Sequence, residues 1–227
     1  MTVAESIQAR SEERTARDAR AYPVAKRWLD VLVASLLLLV ALPLLLAAAA
    51  AVKLTSPGPV LFRQSRVGHH GSSFTMLKLR SMRAACDDSA HRDYVTRLLT
   101  DPSPPDGGSA GVYKLVADPR VTRTGRFLRR SSIDELPQLI NVLRGDMTLV
   151  GPRPALQWEV DLYEPRHRAR MLVKPGLTGL WQVSGRSSVS MREALDLDLR
   201  YVQTACLRLD LVILLGTPRA LLRSVAT

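Results

Sequence analysis

The sequence predicts a helix-rich chain of mixed α/β class that opens with a re-entrant membrane hairpin. Three observations carry that expectation. Residues 31–52 form an uncharged run of 22, almost all Leu, Val and Ala, with Pro43 near its centre. Two short strand-like stretches, 60–64 and 74–80, flank a turn bounded by Gly68 and Gly71. From Ser132 the chain reads as a helix, with Ile133, Leu136, Leu139, Ile140 and Leu143 forming an apolar stripe.

Residues 1–25 are rich in Ala, Glu and Arg without apolar periodicity, which predicts a charged arm, either a frayed helix or disordered. Residues 26–53 are the membrane segment. Lys26 and Arg27 precede the apolar run and Lys53 follows it, so the preference for cations on the cytoplasmic side is met at both ends only if the segment enters and leaves on that face. Pro43 removes a helix hydrogen bond and predicts a kink or break there. Two arms of about ten residues would each reach about 15 Å, half the hydrocarbon thickness. A Pro-kinked spanning helix is the alternative. A cleaved signal peptide fits less well, because a charged region of about 25 residues comes first.

The remaining domain, 54–227, starts with a turn over 53–59 that lifts the chain from the membrane. The stretch 101–111, with Pro102, Pro104, Pro105, Gly107 and Gly108, reads as a surface loop and the internal break. Stretches 145–154 and 174–186 read as loops with embedded arginines. Helices are expected around 196–201 and 207–222. The latter is apolar enough either for buried core or for the bilayer interface, with Arg208, Arg219 and Arg223 reaching phosphates.

Lys and Arg number 32 against 21 acids, giving a net charge of +11 and a pI near 10.4, so the partners should be anionic. Nucleic acid is disfavoured: aromatics are 5%, no recognition motif occurs, and it would leave the apolar run unexplained. Cys86 and Cys206 lack any ligand or disulfide spacing, which points to a reducing cytosolic setting. His69, His70, His91 and His167 form no ligand set and are expected on the surface.

Asp134 and Glu135 follow the basic pair Arg129-Arg130 and fall in the expected first helical turn. Ser132 with Glu135 has capping-box spacing, and Pro137 suits a first turn. There the positive end of the helix dipole keeps carboxylates ionised and attracts phosphate. The pair is thus either a nucleophile with a base or metal ligand, or two ordinary capping acids. Arg153 lies between two prolines, whose stiffness suits a guanidinium that meets phosphate or carboxylate oxygens in fixed geometry; a structural ion pair is the alternative.

Taken together, Lys26-Arg27, the run containing Pro43, Thr55-Ser56-Pro57-Gly58-Pro59, Phe62-Arg63-Gln64, Arg66-Val67-Gly68, Lys78-Leu79-Arg80, Asp118-Pro119-Arg120, Asp134-Glu135-Leu136-Pro137-Gln138, Gly145-Asp146-Met147, Gly151-Pro152-Arg153-Pro154, Lys174-Pro175-Gly176 and Trp181-Gln182-Val183-Ser184-Gly185-Arg186 resemble the bacterial sugar transferases that are monotopic polyprenyl-phosphate phosphoglycosyl transferases. The resemblance runs from about residue 25 to 222. It implies the minimal form, without further N-terminal membrane helices, and a compact domain on the cytoplasmic face of the inner membrane. It also implies transfer of a sugar 1-phosphate from a nucleoside diphosphate sugar, by expectation a UDP-sugar, to polyprenyl (undecaprenyl) phosphate. Asp134 is then the nucleophile of a covalent intermediate, and Glu135 a Mg²⁺ ligand or proton-transfer group. Lys78, Arg129, Arg153, Arg186 and Asp198 are phosphate or nucleotide contacts, and anionic lipids are partners. Trp181 is expected to pack or to lie at the interface more than to stack on a base. One departure is Leu42, where many relatives have Ser before the proline.

Overall fold

The computed structural model describes residues 3–83, 88–101, 118–185 and 189–226, with side chains from 22 to 222. Arg186, Cys86 and nearly all of the expected break at 101–111 lie outside these residues. The chain opens with one helix, α1 (Val3–Thr55), which runs through both Pro23 and Pro43. The break expected at Pro43 is therefore absent, and the membrane segment is a single helical element. A buried-helix proline costs about 3 kcal/mol. Leu and Ala on both sides favour the helix, and packing adds to them. Asp30, Ala34, Leu38, Ala41, Leu45, Ala48 and Val52 recur every three or four residues and are all buried or half-buried, so one face keeps its register across Pro43. Leu36, Leu39, Val40 and Leu46 point outward and are exposed. The stretch Tyr22–Thr55 is long and apolar enough to cross a membrane, and only 11% of its most apolar window is buried, unlike the core helix of a soluble protein.

The two strands expected on either side of the Gly68–Gly71 turn are present. Strands β1 (Leu61–Val67) and β2 (Ser73–Leu79) pair antiparallel, with Phe62 opposite Lys78 and Arg66 opposite Phe74. A 3-10 turn at His69–Gly71 joins them, with His70 (φ 53°) and Gly71 (φ 79°) in the left-handed region. Helices α2 (Ser89–Thr100), α3 (Arg123–Arg130) and α4 (Gln138–Arg144) follow. The β-hairpin docks on α4 through fully buried Asn141, whose Oδ1 accepts from Leu77 N (3.0 Å) and whose Nδ2 donates to Thr75 O (2.8 Å).

Two stretches expected as loops hold structure. Strand β3 (Thr148–Val150) pairs in parallel with β4 (Gly176–Thr178). Three-residue strands are too short to show a period of two, so the turn residues around them dominated the reading. The approach is close: a Cβ on Gly176 would lie 2.1 Å from Gly151 N, so only glycine fits. Helices α5 (Gln157–Asp161), α6 (Leu180–Ser184), α7 (Met191–Thr204) and α8 (Leu207–Ala226) complete the chain, with a 3-10 segment at Pro165–Leu172. Helix α8 divides between the two expectations for it: Asp210 and Ile213 are buried, whereas Leu211, Val212, Leu215 and Leu222 are exposed.

Buried polar contacts tie α1 to the domain. Asp30 accepts from Thr148 Oγ1 (2.6 Å) and Leu149 N (3.0 Å). Arg27 donates to Val142 O and Leu143 O, carbonyls of the last turn of α4. Asp210 accepts from Lys26 Nζ (2.8 Å), Tyr22 Oη (3.0 Å) and Tyr201 Oη (2.7 Å). At the far end Arg80 donates to Pro57 O (2.6 Å) and Ser56 O (2.8 Å). Replacing Asp30 with Leu would leave the Leu149 N–H and the Thr148 hydroxyl buried without acceptors. We expect Asp30→Leu to cost about 2–4 kcal/mol, measured as a lower unfolding temperature in detergent, with Asp30→Asn costing less.

Candidate active site

Helix α3 begins where Thr122 Oγ1 accepts from Gly125 N (2.9 Å), and it packs so closely on Ser81 that a Cβ at Gly125 would lie 1.8 Å from Ser81 O. After α3 the chain reverses at Ser132, which adopts φ 57° and caps nothing with its side chain. Ile133–Glu135 then form a 3-10 turn, and α4 starts only at Gln138. The helix expected from 132–134 is corrected accordingly. Asp134 and Glu135 sit in a separate turn ahead of α4, because left-handed Ser132 cannot open an α-helix. Ile133 packs into the cluster of Ala48, Val52, Leu79 and Leu128, while Leu136 packs on the core of Leu139, Val142 and Met76. The two acids are thus held between apolar anchors on either side.

Asp134 is 6% exposed. Glu135 reaches the surface, and its Oε1 accepts from Lys78 Nζ at 2.9 Å. Partly exposed ion pairs contribute little to stability, about 0–1 kcal/mol, so this one matters for where it puts charge. Gln64, Arg66 and Lys78 share one face of the hairpin by its register. Arg66 is buried, gripped by Gln64 Oε1 (2.7 Å) and Pro154 O (3.1 Å). Burial, then the nearby Arg153, pull its pKa down to about 10, which leaves it charged at neutral pH; Glu159, Tyr163 and Glu135 act in the opposite sense. Arg153 Nη1 meets Glu159 Oε2 at 3.4 Å. Its carbonyl accepts from Arg170 Nη2 (2.8 Å), and Arg170 in turn holds Asp198 and the Tyr163 hydroxyl.

On the other side, the guanidinium and backbone N–H of Arg120 both donate to the Asp118 carboxylate, and with desolvation opposing them they hold that carboxyl below its usual range. Arg129 lies within electrostatic reach of Asp118, and its Nη1 is buried with no hydrogen-bond partner. The His91 pKa is lowered by burial, then by the positive charges of Arg120 and Arg153.

The fold therefore pairs Lys78 with Glu135 directly, with Asp134 next to Glu135 in the same turn, and it brings Arg66 and Arg153 together on Glu159. Arg129 carries a donor that an anion would satisfy. Asp198 is 1% exposed and engaged by Arg170, so it acts on Arg153 through Arg170. Trp181 is buried, at 6% exposed. The surface expectation for the histidines fails at His167, which is 2% exposed and bonded to Asp196 (3.0 Å). Arg66, Glu159 and Arg170 were missed. The alternation of Gln64, Arg66 and Phe62 on one strand face could have found Arg66; no local pattern marks the other two. Among the described residues no group of three His, Cys, Asp or Glu could hold a metal. Two adjacent carboxylates with only oxygen donors nonetheless suit Mg²⁺, which takes one or two carboxylates and completes its shell with substrate phosphates and water.

The bacterial sugar transferase family matches residues 21–224. The exopolysaccharide production protein ExoY of Rhizobium meliloti is 43% identical over 86% of this chain and 84% of its own. The UDP-glucose:undecaprenyl-phosphate glucose-1-phosphate transferase of Caulobacter vibrioides is 46% identical over 89% of this chain and 71% of its own. The undecaprenyl-phosphate galactose phosphotransferase of Salmonella typhimurium is 38% identical over 87% of this chain but 40% of its own.

Burial pushes the Asp198 carboxyl up to about 6 against the pull of Arg170. A raised acid contributes stability below its unfolded pKa, near 4, and loses it as the pH rises through 6. We expect this component of the unfolding profile to vanish in Asp198→Asn. Arg170→Met should cost more, about 3–5 kcal/mol at neutral pH, because it strands a buried carboxylate.

Proposed function

Since this chain belongs to the bacterial sugar transferase family, we propose that it transfers a sugar 1-phosphate from a nucleoside diphosphate sugar, most simply a UDP-sugar, to polyprenyl phosphate in the inner membrane. The observation that carries this reading is the buried Asp134 beside the Lys78–Glu135 pair, with the unpartnered Arg129 donor five residues before it. A carboxylate oxygen of Asp134 attacks the sugar-bearing phosphorus. The bridging P–O bond breaks, and its electron pair leaves with the nucleoside monophosphate. An oxygen of polyprenyl phosphate then attacks the same phosphorus, the acyl P–O bond breaks, and the Asp134 carboxylate returns with polyprenyl-diphosphate sugar as product. Lys78, Arg129 and Arg153 would hold the phosphates in line. Glu135 would hold Mg²⁺ together with the donor's diphosphate. That ion, when bound, offsets the repulsion between carboxylate and diphosphate.

The same reading makes α1 a re-entrant element that bends at Pro43 without interrupting its helix, with the domain on the cytoplasmic face. Both ends of its apolar stretch are bonded to one domain, through Asp30 and through Ser56. Its inward stripe packs on that domain throughout, so a spanning α1 would draw buried charges of the domain into hydrocarbon. The exposed leucines of α1 and of α8 would face lipid, and the basic surface would face anionic headgroups.

Incubation with sugar-labelled donor and no lipid acceptor should leave label on the wild-type protein, more slowly on Glu135→Gln, and none on Asp134→Asn; excess chelator should prevent labelling. Label on Asp134→Asn, or monophosphate release strictly dependent on acceptor with no labelled enzyme, would favour direct attack by the lipid phosphate instead. For topology, single cysteines near Lys26 and near Ser56 should both react with a reagent confined to the cytoplasmic side. Reaction of the Lys26 site only from the outer side would show a spanning helix, an outcome that Pro43→Leu should promote.

A further inference from the structure

Glu159 is a buried acid that no motif assigns. It lies on α5 and is 1% exposed. Its Oε2 accepts from Leu156 N (2.8 Å) and from Arg153 Nη1 (3.4 Å), and stands 4.0 Å from Arg66 Nη1. Its Oε1 is buried with no hydrogen-bond partner. Burying a carboxylate costs several kcal/mol, far more than closing a helix start requires, since a surface Ser or Asp would do that. The charge therefore serves the two guanidiniums. They repel each other, and an anion between them keeps them together. Arg66 is fixed by Gln64 and by Pro154 O, whereas the Arg153 side chain is 21% exposed and is the one of the two that a solute can reach.

We propose that Glu159 is the positioning residue that aims Arg153, so that Arg153, backed by Arg66, forms a directed clamp for the donor's diphosphate. This rests on the sugar-phosphate transfer proposed above. The loose 3.4 Å contact and the spare Oε1 fit that role: Arg153 can tip toward a phosphate and keep Glu159 as its partner through the other oxygen. Glu159 itself never meets the substrate.

The test measures steady-state kinetics of wild type, Glu159→Gln, Arg153→Gln and the double variant, varying donor and acceptor separately. Glu159→Gln keeps an oxygen for Leu156 N, and unfolding temperatures check that the fold survives. Donor KM should rise about tenfold in Glu159→Gln, the scale of a misaimed binding group, with kcat and acceptor KM nearly unchanged. Arg153→Gln should also raise donor KM, and adding Glu159→Gln to it should cost nothing further, because the acid acts only through the arginine. An unchanged donor KM in Glu159→Gln, or losses that multiply in the double variant, overturns the inference alone. An unchanged donor KM in Arg153→Gln removes the donor from this arginine and overturns the inference with it; absence of any transfer by wild type overturns the function instead. Should Glu159→Gln fail to fold, Glu159→Asp keeps the charge but withdraws it by one methylene. Donor KM should still rise in that variant, and an unchanged value overturns the inference.

Discussion

The carboxylate of Asp30, at the head of the apolar stretch of α1, is the contact on which the remaining architecture turns. A buried charge is tolerable only if its hydrogen bonds are complete, and here they come from Thr148 Oγ1 and Leu149 N at β3. That fixes the rotation of α1 about its axis. With the rotation fixed, Ala34, Ala41 and Ala48 face inward at intervals of seven, and their small size lets the domain approach along the helix. The large leucines are then turned outward by default. The second tether, Arg80 on the Ser56–Pro57 carbonyls, closes the other end, so α1 is as much a wall of the domain as an anchor.

That wall supports the acidic turn. Ile133 rests on Ala48 and Val52 of α1, and Leu136 on the cluster that includes Ala34. The turn also holds a non-glycine residue at positive φ, a conformation costing on the order of 1 kcal/mol or more, which persists only because packing on both sides determines it. Its consequence is geometric. A continuous helix from Ser132 would carry Asp134 and Glu135 around its axis by about 100° per residue. The left-handed residue resets the chain instead, burying Asp134 while Glu135 meets Lys78 near the surface.

The sequence disclosed what local chemistry determines. The β1–β2 hairpin, α7, the apolar helix and the acidic pair all announced themselves through periodicity, turn residues or adjacency of charge. It concealed what depends on distant partners. Asp30 carries no signal in the sequence, because its donors are over a hundred residues away. Glu159 and Arg170 carry no local signal, and His167 reads as a surface histidine of a polar stretch. The left-handed Ser132 mimicked a helix cap, since capping-box spacing is satisfied by identity alone and says nothing of φ. Pro43 suggested a break because propensity was weighed without the packing that carries a helix through it.

The distribution of charge, more than its sum, is what suits the chain to phosphate chemistry. A net charge of +11 would attract anions however it were spread. Here 27 of the 32 cationic residues are arginine and 5 are lysine, and the arginines around the candidate site have an acceptor behind them: Arg66 has Gln64, Arg120 has Asp118, and Arg153 has Glu159 at the longer distance of 3.4 Å. A planar guanidinium held on one edge offers its other edge in a set direction, which a flexible ammonium cannot do. The buried acids therefore lower the total positive charge yet raise its directionality. For the phosphate transfer proposed above, in which the attacking oxygen must approach phosphorus in line, direction counts for more than total charge. The acids behind the arginines thus belong to the same design as the two acids in front of them.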